Sequence, residues 1–253
     1  MRIKNMSVTA TGLAQQGAVW IFSASYLPAL MASCLLTNQT QRNRVGPRMA
    51  RGWGWMVSRL AGVRIQYTPA ARQALDTRKA RVLTFNHGST LDVPVGAALL
   101  PEGGVLAIKA EMRALPLLGP ACAALGSIFL DRGDRESAYA SLKVSARRIQ
   151  DEKLQVLIAP EGTRSPDGQL GQFKLGAFHL AFVAEAPILP LVLHNSAAIW
   201  PRGQIAPNGG TVIIDALPEV HMPAGDSDAL RSQADALRTL YQKALLAGPS
   251  VAH

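Results

Sequence analysis

Residues 82–92 read Val-Leu-Thr-Phe-Asn-His-Gly-Ser-Thr-Leu-Asp, and this stretch decides the fold. Its first four residues form a short apolar run of the kind found in strands that are buried on both faces. A helical pattern begins near Leu91, so the polar residues 86–90 predict a turn from a strand into a helix. Open α/β sheets place their active sites at such turns, at the carboxyl ends of the strands.

The same alternation of strand and helix continues through the rest of the chain. Short runs rich in Val, Ile and Leu predict strands at 63–67, 82–85, 105–108, 127–130, 154–158, 188–193 and 211–215. Helices are predicted between them at 91–100, 115–125, 135–150 and 173–184, and a last helix runs from about 227 to 246, capped by Asp226 or Ser227. The pattern predicts an α/β fold with a mostly parallel or mixed sheet of about seven strands, flanked by helices.

Length and composition agree with one such domain plus a short appendage. The chain has 253 residues, of which 48% are hydrophobic and 17% charged, so a substantial core can form. Its two cysteines, Cys34 and Cys122, are too few for a disulfide scaffold or a cysteine-rich zinc module. Unpaired thiols of this kind indicate a reducing compartment, and we expect the domain to face the cytosol.

Positive charge is concentrated at the amino-terminal end. Residues 1–80 hold 11 of the 26 Lys and Arg residues but only one acid, Asp76. A basic segment beside an apolar one indicates contact with an anionic membrane surface. Nucleic acid is the competing partner for such a patch, and we do not expect it because the sequence contains no base-reading motif.

An uncharged segment lies between Lys4 and Arg42, and residues 17–36 within it are mostly apolar. Twenty such residues in a helix span about 30 Å, the thickness of the hydrocarbon layer, although Pro28 and three serines interrupt the pattern. Three interpretations stay open. The segment is a secretory signal peptide without a clear cleavage site, a single membrane span, or part of a bent pair of helices lying in the interface.

Residues 43–60 carry Trp53 and Trp55 among arginines, which is typical of an amphipathic segment at a membrane interface. A buried helix of a soluble domain fits this composition less well. We therefore expect residues 1–60 to form membrane-associating basic and apolar helices, and residues 61–250 to form the α/β domain. The expected location is the cytoplasmic face of the cell inner membrane, as a peripheral or single-span protein.

Two polar blocks follow predicted strands and contain residues suited to catalysis. In the first, His87 and Asp92 are five residues apart, so they can meet only if His87 lies in the turn and Asp92 in the first turn of the helix. Asp92 would then fix the imidazole tautomer and leave the other nitrogen free to accept a proton. The second block, residues 159–165, reads Ala-Pro-Glu-Gly-Thr-Arg-Ser. Arg164 offers a fork of donors matched to phosphate, and Glu161 is expected to orient that arginine or neighbouring amides.

The two blocks together, in this order, resemble those of the glycerolipid acyltransferase family. The first motif of the family, N-H-x4-D, corresponds to Asn86, His87 and Asp92, and the third, often F-P-E-G-T-R-S, corresponds to residues 159–165 with Ala159 in place of Phe. The second motif lies around residues 126–132 and the fourth around residues 186–191. A K-x-E stretch of the family is matched at residues 109–111. The resemblance covers about residues 62–215.

The resemblance implies an enzyme that moves a fatty acyl group from acyl-CoA or acyl-carrier protein to the sn-2 hydroxyl of lysophosphatidate, giving phosphatidate. It implies that His87 is the general base and that Asp92 orients it. The residues implied in substrate binding are Lys109, Arg132, Glu161, Gly162, Thr163, Arg164 and Ser165, with the arginines holding the acceptor phosphate. The expected partners are the lipid bilayer, the lysophospholipid and the acyl donor.

Other functions stay open at this point. The acceptor could instead be lyso-ornithine lipid or another lysophospholipid, because the motifs do not separate these substrates. A non-catalytic lipid-binding protein of the same fold is less expected, since His87 and Asp92 are both present. We expect no cofactor and no metal, because the remaining histidines lack ligand spacing to a second His or Cys.

Overall fold

A mixed sheet forms the centre of the protein. The computed structural model describes residues 10–130, 135–165, 168–201, 203–222 and 227–250. In these residues the strands are β1 (Val63–Tyr67), β2 (Arg81–Phe85), β3 (Gly104–Lys109), β4 (Ile128–Leu130), β5 (Gln155–Ile158), β6 (Ile188–His194) and β7 (Gly210–Ala216). They form one sheet in the order β1-β7-β6-β2-β5-β3-β4, in which β6 and β7 pair antiparallel and the other neighbours pair parallel.

Helices cover both faces of this sheet. They are α1 (Ala10–Leu35), α2 (Gln39–Leu60), α3 (Pro69–Leu75), α4 (Asp92–Ala98), α5 (Leu118–Ala124), α6 (Arg135–Asp151), α7 (Gly176–Val183), α8 (Ser196–Ile199) and α9 (Ser227–Ala247), with a 3-10 helix at Ala110–Ala114. Every residue of β2, β5 and β6 is buried, as expected for parallel strands between two helical layers. The predicted α/β fold is confirmed, and each predicted strand is present.

Successive residues of β2 point into two different cores. Leu83 packs on one face of the sheet with side chains of α1, α2, α4 and α5, whereas Val82 packs on the other face with side chains of α6, α7 and α9. Local signals fix where some helices begin. Asn38 and Gln41 form a capping box at the start of α2, and Thr68 caps α3, whose first residue is proline. The predicted cap Asp226 lies outside the described residues.

The first two helices form an antiparallel pair that belongs to the main core. The indole N–H of Trp53 donates to the hydroxyl of Ser23 at 3.1 Å, and the hydroxyl of Tyr26 donates to the carbonyl of Met49 at 3.1 Å. Leu27 and Trp53 are both buried in the cluster that covers the sheet. Residues 10–60 and the α/β domain therefore share one core, and the membrane role of the amino-terminal segment stays a prediction.

The sequence favoured an interfacial amphipathic segment over a buried helix for residues 43–60, and the structure buries one of its two tryptophans. Trp53 faces inward, whereas Trp55 is exposed with the guanidinium of Arg59 over its ring. Small residues explain how α2 approaches the domain so closely. A methyl group added at Gly54 would overlap the carbonyl oxygen of Pro94 and the amide nitrogen of Ala98 in α4. The arginines of α2 at 44, 48, 51 and 59 lie on its exposed face.

Helix α1 continues without a break through Pro28. Its segment Thr11–Leu35 is long and apolar enough to cross a membrane, and 22% of the 18-residue apolar window within it is buried against the rest of the protein. Two of the three serines that interrupt the apolar pattern donate hydrogen bonds within the helix, and the third, Ser23, accepts from Trp53. Ser25 donates to the carbonyl of Phe22 at 3.0 Å, and Ser33 donates to that of Ala29 at 2.8 Å. These bonds satisfy the hydroxyl donors locally and make the helix compatible with an apolar environment.

Candidate active site

A histidine and an aspartate meet at the carboxyl end of β2. Asp92 is the first residue of α4, and its Oδ2 lies 3.0 Å from Nδ1 of His87. The same oxygen accepts the amide N–H of Ser89 at 2.8 Å. A carboxylate acceptor at Nδ1 requires the proton on that nitrogen, so Nε2 is free to accept a proton from another group. The Asp92 side chain is fully buried, whereas the His87 side chain is 20% exposed and reachable by a substrate.

Neighbouring residues fix the turn that carries this pair. Asn86 joins β2 to β6, because its side-chain amide donates to the carbonyl of Leu193 at 3.0 Å and accepts the amide N–H of the same residue at 2.7 Å. Ser89 is buried, and its hydroxyl donates to the carbonyl of Trp200 at 2.8 Å. Ser89 is therefore a structural residue of the turn and not a nucleophile.

The second polar block lies beside the first, because β5 is the neighbour of β2 in the sheet. The amide N–H of Ser165 donates to the carbonyl of His87 at 3.0 Å, and Oε1 of Glu161 accepts the amide N–H of His87 at 2.6 Å. The guanidinium of Arg164 donates to the hydroxyl of Thr90 at 2.9 Å. Thr90 is a site residue that the sequence analysis missed, and its place inside the first block was the signal that could have found it.

The predicted substrate-binding residues differ in how accessible they are. Thr163 and Arg164 are exposed, and Gly162 is partly exposed in a left-handed turn conformation with φ of 68°. Glu161 and Ser165 are buried and bonded to the main chain of the neighbouring turns. The exposed pair is free to meet a substrate, whereas the buried pair holds the loop in place.

Two further predicted binding residues belong to strands nearer the edge of the sheet. Lys109 ends β3, which is two strands away from β2, or about 10 Å at the usual strand spacing. Its side chain is partly exposed. Arg132 lies outside the described residues, two positions after the end of β4. The carboxyl ends of β2, β5 and β3 thus bring His87, Arg164 and Lys109 to one edge of the sheet.

A cysteine nucleophile does not fit this site. Burial raises the pKa of the Cys122 thiol to about 11, so that thiol stays protonated at neutral pH. Cys34 is buried between α1 and α2 against Gly46. Neither thiol belongs to the group of side chains around His87.

Comparisons with known proteins agree with this geometry. The acyltransferase family model matches residues 67–194, which is half of the chain and includes both polar blocks. The chain belongs to this acyltransferase family. It is therefore an acyltransferase enzyme, and the predicted relationship to the glycerolipid acyltransferases is confirmed.

Individual relatives carry related names. A 1-acyl-sn-glycerol-3-phosphate acyltransferase of Limnanthes alba is 29% identical over 85% of this chain and 75% of the relative. The acyltransferase of that name from Salmonella typhimurium is 26% identical over 78% of this chain and 80% of the relative. The one from Saccharomyces cerevisiae is 31% identical over 64% of this chain, which corresponds to 54% of its own length.

A solved structure supports the fold along nearly the whole chain. The crystal structure of the 1-acyl-sn-glycerophosphate acyltransferase from Thermotoga maritima superposes with a TM-score of 0.74. The match covers 95% of this acyltransferase and 98% of that chain, at 18% sequence identity. Because the cover includes the amino-terminal helices, their packing on the sheet is part of the shared fold.

Proposed function

We propose that this acyltransferase acylates the sn-2 hydroxyl of lysophosphatidate, with acyl-CoA or acyl-carrier protein as the thioester donor. The observation that carries the proposal is the buried Asp92 paired with a partly exposed His87, beside the exposed Arg164. One side of the site thus offers a base and the other a donor for phosphate. The names of the relatives, all 1-acyl-sn-glycerol-3-phosphate acyltransferases, support the choice of acceptor.

The proposed reaction is direct transfer with His87 as general base. Nε2 of His87 takes the proton of the acceptor hydroxyl while the oxygen forms a bond to the thioester carbonyl carbon. When the tetrahedral intermediate collapses, the C–S bond breaks and the imidazolium returns the proton to the leaving thiolate. Asp92, 3.0 Å from Nδ1, stabilises the imidazolium between these two steps. No acyl-enzyme forms, in keeping with the buried Ser89 and Cys122.

Arg164 is proposed to hold the acceptor phosphate. Its guanidinium is exposed and its contact with Thr90 is a bond to a neutral hydroxyl, which leaves further N–H donors for an anion. Binding the phosphate there fixes the acceptor relative to His87 and turns binding energy into orientation of the hydroxyl. Lys109 and Arg132 are proposed to add to the positive charge that binds this phosphate.

We further propose that the protein lies on an anionic membrane surface with the axis of α1 in the membrane plane. Exposed apolar residues of α1, among them Leu13, Trp20, Ile21 and Leu35, would enter the lipid. A perpendicular span is disfavoured because α2 packs alongside α1 and would carry its exposed arginines into the hydrocarbon layer, at about 3 kcal/mol each. In the in-plane orientation Arg51 and Arg59 can reach lipid phosphates, whereas Arg44 and Arg48 form ion pairs with Glu102 at 3.1 and 3.4 Å.

An acceptor panel tests the function. Purified protein and its His87→Ala variant are assayed with lysophosphatidate, lyso-ornithine lipid and other lysophospholipids in anionic vesicles, each with both thioester donors. We expect transfer to lysophosphatidate by the wild type, and a loss of about 10²–10⁴-fold in the variant. Equal activity of the two proteins would refute the catalytic assignment. A preference of the wild type for lyso-ornithine lipid would refute the acceptor.

A further inference from the structure

Glu161 occupies a position that substrate binding does not explain. The residue is only 4% exposed, and each carboxylate oxygen accepts a main-chain N–H. Oε1 accepts from His87 at 2.6 Å, and Oε2 accepts from Gly171 at 2.7 Å. Both oxygens point at the protein itself, so the carboxylate joins the turn after β2 to the loop that precedes α7.

The main chain of His87 is held from two directions by the loop that follows β5. Its N–H donates to Glu161, and its carbonyl accepts the amide N–H of Ser165 at 3.0 Å. The side chain of the same histidine bonds to Asp92. Because the peptide groups on both sides of His87 are fixed, the direction of its Cα–Cβ bond is fixed as well. The hydrogen bond to Asp92 then fixes the orientation of the imidazole ring.

The other end of this connection is anchored in α9. Nε of Arg238 donates to the carbonyl of Gly171 at 2.8 Å, and a second nitrogen of Arg238 donates to the carbonyl of Leu170 at 3.1 Å. The Gly171 peptide is thus held through its N–H by Glu161 and through its carbonyl by Arg238. A continuous set of hydrogen bonds runs from α9 to the histidine.

We propose that Glu161 is a positioning residue for the general base, which fixes the His87 main chain without touching substrate. The inference rests on the proposed role of His87. A carboxylate suits this task because two N–H donors converge on it and both of its oxygens are acceptors. Glutamine has one acceptor oxygen, and its amino group would face one of the two N–H donors.

The effect of Glu161 protonation on folding stability distinguishes a positioning role of this residue from a role in stabilising the fold. Burial raises the pKa of the Glu161 carboxyl, although the N–H groups of His87 and Gly171 act in the opposite direction. A carboxyl whose pKa is raised in the folded state stabilises the fold below its unfolded pKa, and this stabilisation is lost as the pH rises through the folded pKa. Deprotonation of Glu161 therefore costs stability in the folded state, as is common for functional residues.

The test compares turnover, substrate binding and stability in two variants. In Glu161→Gln we expect kcat to fall about 10²-fold, as for other misplaced catalytic groups, with the acceptor KM unchanged and with Tm lowered by only a few degrees, because one buried N–H loses its acceptor. Gly171→Ala perturbs the same contact from the other side, because its Cβ would lie 2.9 Å from Oε2 of Glu161. It should lower kcat with the same unchanged KM. Gly176→Ala is the matched control, since no atom lies within 4 Å of its added methyl group.

Hydrogen exchange reports on the positioning itself. In Glu161→Gln the amide of His87 should exchange faster with solvent, whereas amides of β5 should keep their protection. Wild-type kcat in this variant would overturn the proposal. A rise in acceptor KM would assign the carboxylate to substrate binding. A loss of Tm in proportion to the loss of kcat would assign it to stabilisation of the fold. Either result would overturn the proposal. The His87→Ala variant, assayed in parallel, tests the proposed general base separately. A loss of activity in this variant is expected whatever the role of Glu161.

Discussion

Substitution of Gly54 by alanine tests whether α2 supports the active site. Gly54 lies where α2 crosses α4, and its added Cβ would overlap the carbonyl oxygen of Pro94 and the amide nitrogen of Ala98. Both are main-chain atoms, which cannot rotate away as the end of a side chain can. The helices must therefore move apart, and α4 begins at Asp92, two residues before Pro94.

The size of the effect follows from two opposing contributions. Alanine in place of glycine within a helix stabilises by about 1 kcal/mol through backbone propensity. Overpacking of a tight contact costs about 1–3 kcal/mol, and the rigid neighbours here favour the upper end of that range. We expect a net loss of about 1–2 kcal/mol, which lowers Tm by about 2–8 °C in a protein of this size. A shift of α4 by a fraction of an ångström would also disturb the Asp92–His87 contact and lower kcat about tenfold.

Thermal unfolding and steady-state kinetics of the purified full-length protein measure both effects. Gly17→Ala is the control, because the added methyl group of this glycine in α1 meets no atom within 4 Å. It should leave Tm unchanged or raise it slightly, with wild-type kcat. A Gly54→Ala protein as stable as the control and fully active would show that α2 does not press on α4, and the shared core would be refuted.

Three further substitutions test other contacts of the site and fold. Asp92→Asn should lower kcat about 10²-fold or more with little change in acceptor KM, because the amide cannot stabilise the His87 imidazolium; an unchanged kcat would remove Asp92 from the mechanism. Arg164→Ala should raise the KM for lysophosphatidate about 10-fold or more, with incomplete recovery in Arg164→Lys, whose ammonium lacks the bidentate fork; unchanged KM would place the phosphate elsewhere. Burial acts to raise the pKa of Asp215, but hydrogen bonds from Ser250, Thr68 and Ala216 outweigh it and lower that pKa. The charged carboxylate therefore stabilises the fold above its unfolded pKa of about 4, and this is lost as the pH falls through the lower folded pKa. Ser250→Ala should cost about 1–3 kcal/mol in urea unfolding at pH 7 and clearly less at pH 3; an equal cost at both pH values would contradict the assignment.

The sheet was predictable because its central strands are buried on both faces. Runs such as residues 154–158 and 188–193 contain almost no polar residues, and continuous apolar runs bounded by turns leave few alternatives to a strand. The short elements α3 and α8 and the 3-10 helix were not predicted. They are four to seven residues long, too short for helical periodicity to stand out.

Helix α2 shows why composition alone misplaces a segment. Trp53 and Trp55 have the same neighbours in sequence, yet two positions turn a helix by about 200°, and they lie on opposite sides. The sequence shows arginines near both, and only packing decides that Trp53 faces Ser23 while Trp55 faces outward with Arg59. Gly54 allows the close crossing of α2 and α4, but nothing in the sequence around it indicates that α4 is the helix it contacts.

The sequence predicted which residues form the candidate site, but not all of the contacts that hold them in place. The spacing of His87 and Asp92 predicted a turn followed by a helix start, and this is where the two lie. Glu161 was expected to orient an arginine or neighbouring amides, and the structure shows two amides, those of His87 and Gly171. Nothing in the sequence connects Arg238 to this group, because it donates to main-chain carbonyls 67 and 68 residues away.

The position of α2 connects the proposed membrane surface to the chemistry. One face of this helix contacts α4 within two residues of Asp92, and another face carries the exposed arginines at 44, 48, 51 and 59. A helix with its side chains is about 10–12 Å thick, so a lipid surface that touched the exposed face of α2 would lie within about one helix diameter of the start of α4. A lysophospholipid could then keep its acyl chain in the bilayer while its hydroxyl reaches His87. The amino-terminal pair would thus set the height of the active site above the lipid, a function that a flexible tether of the same charge and hydropathy could not supply.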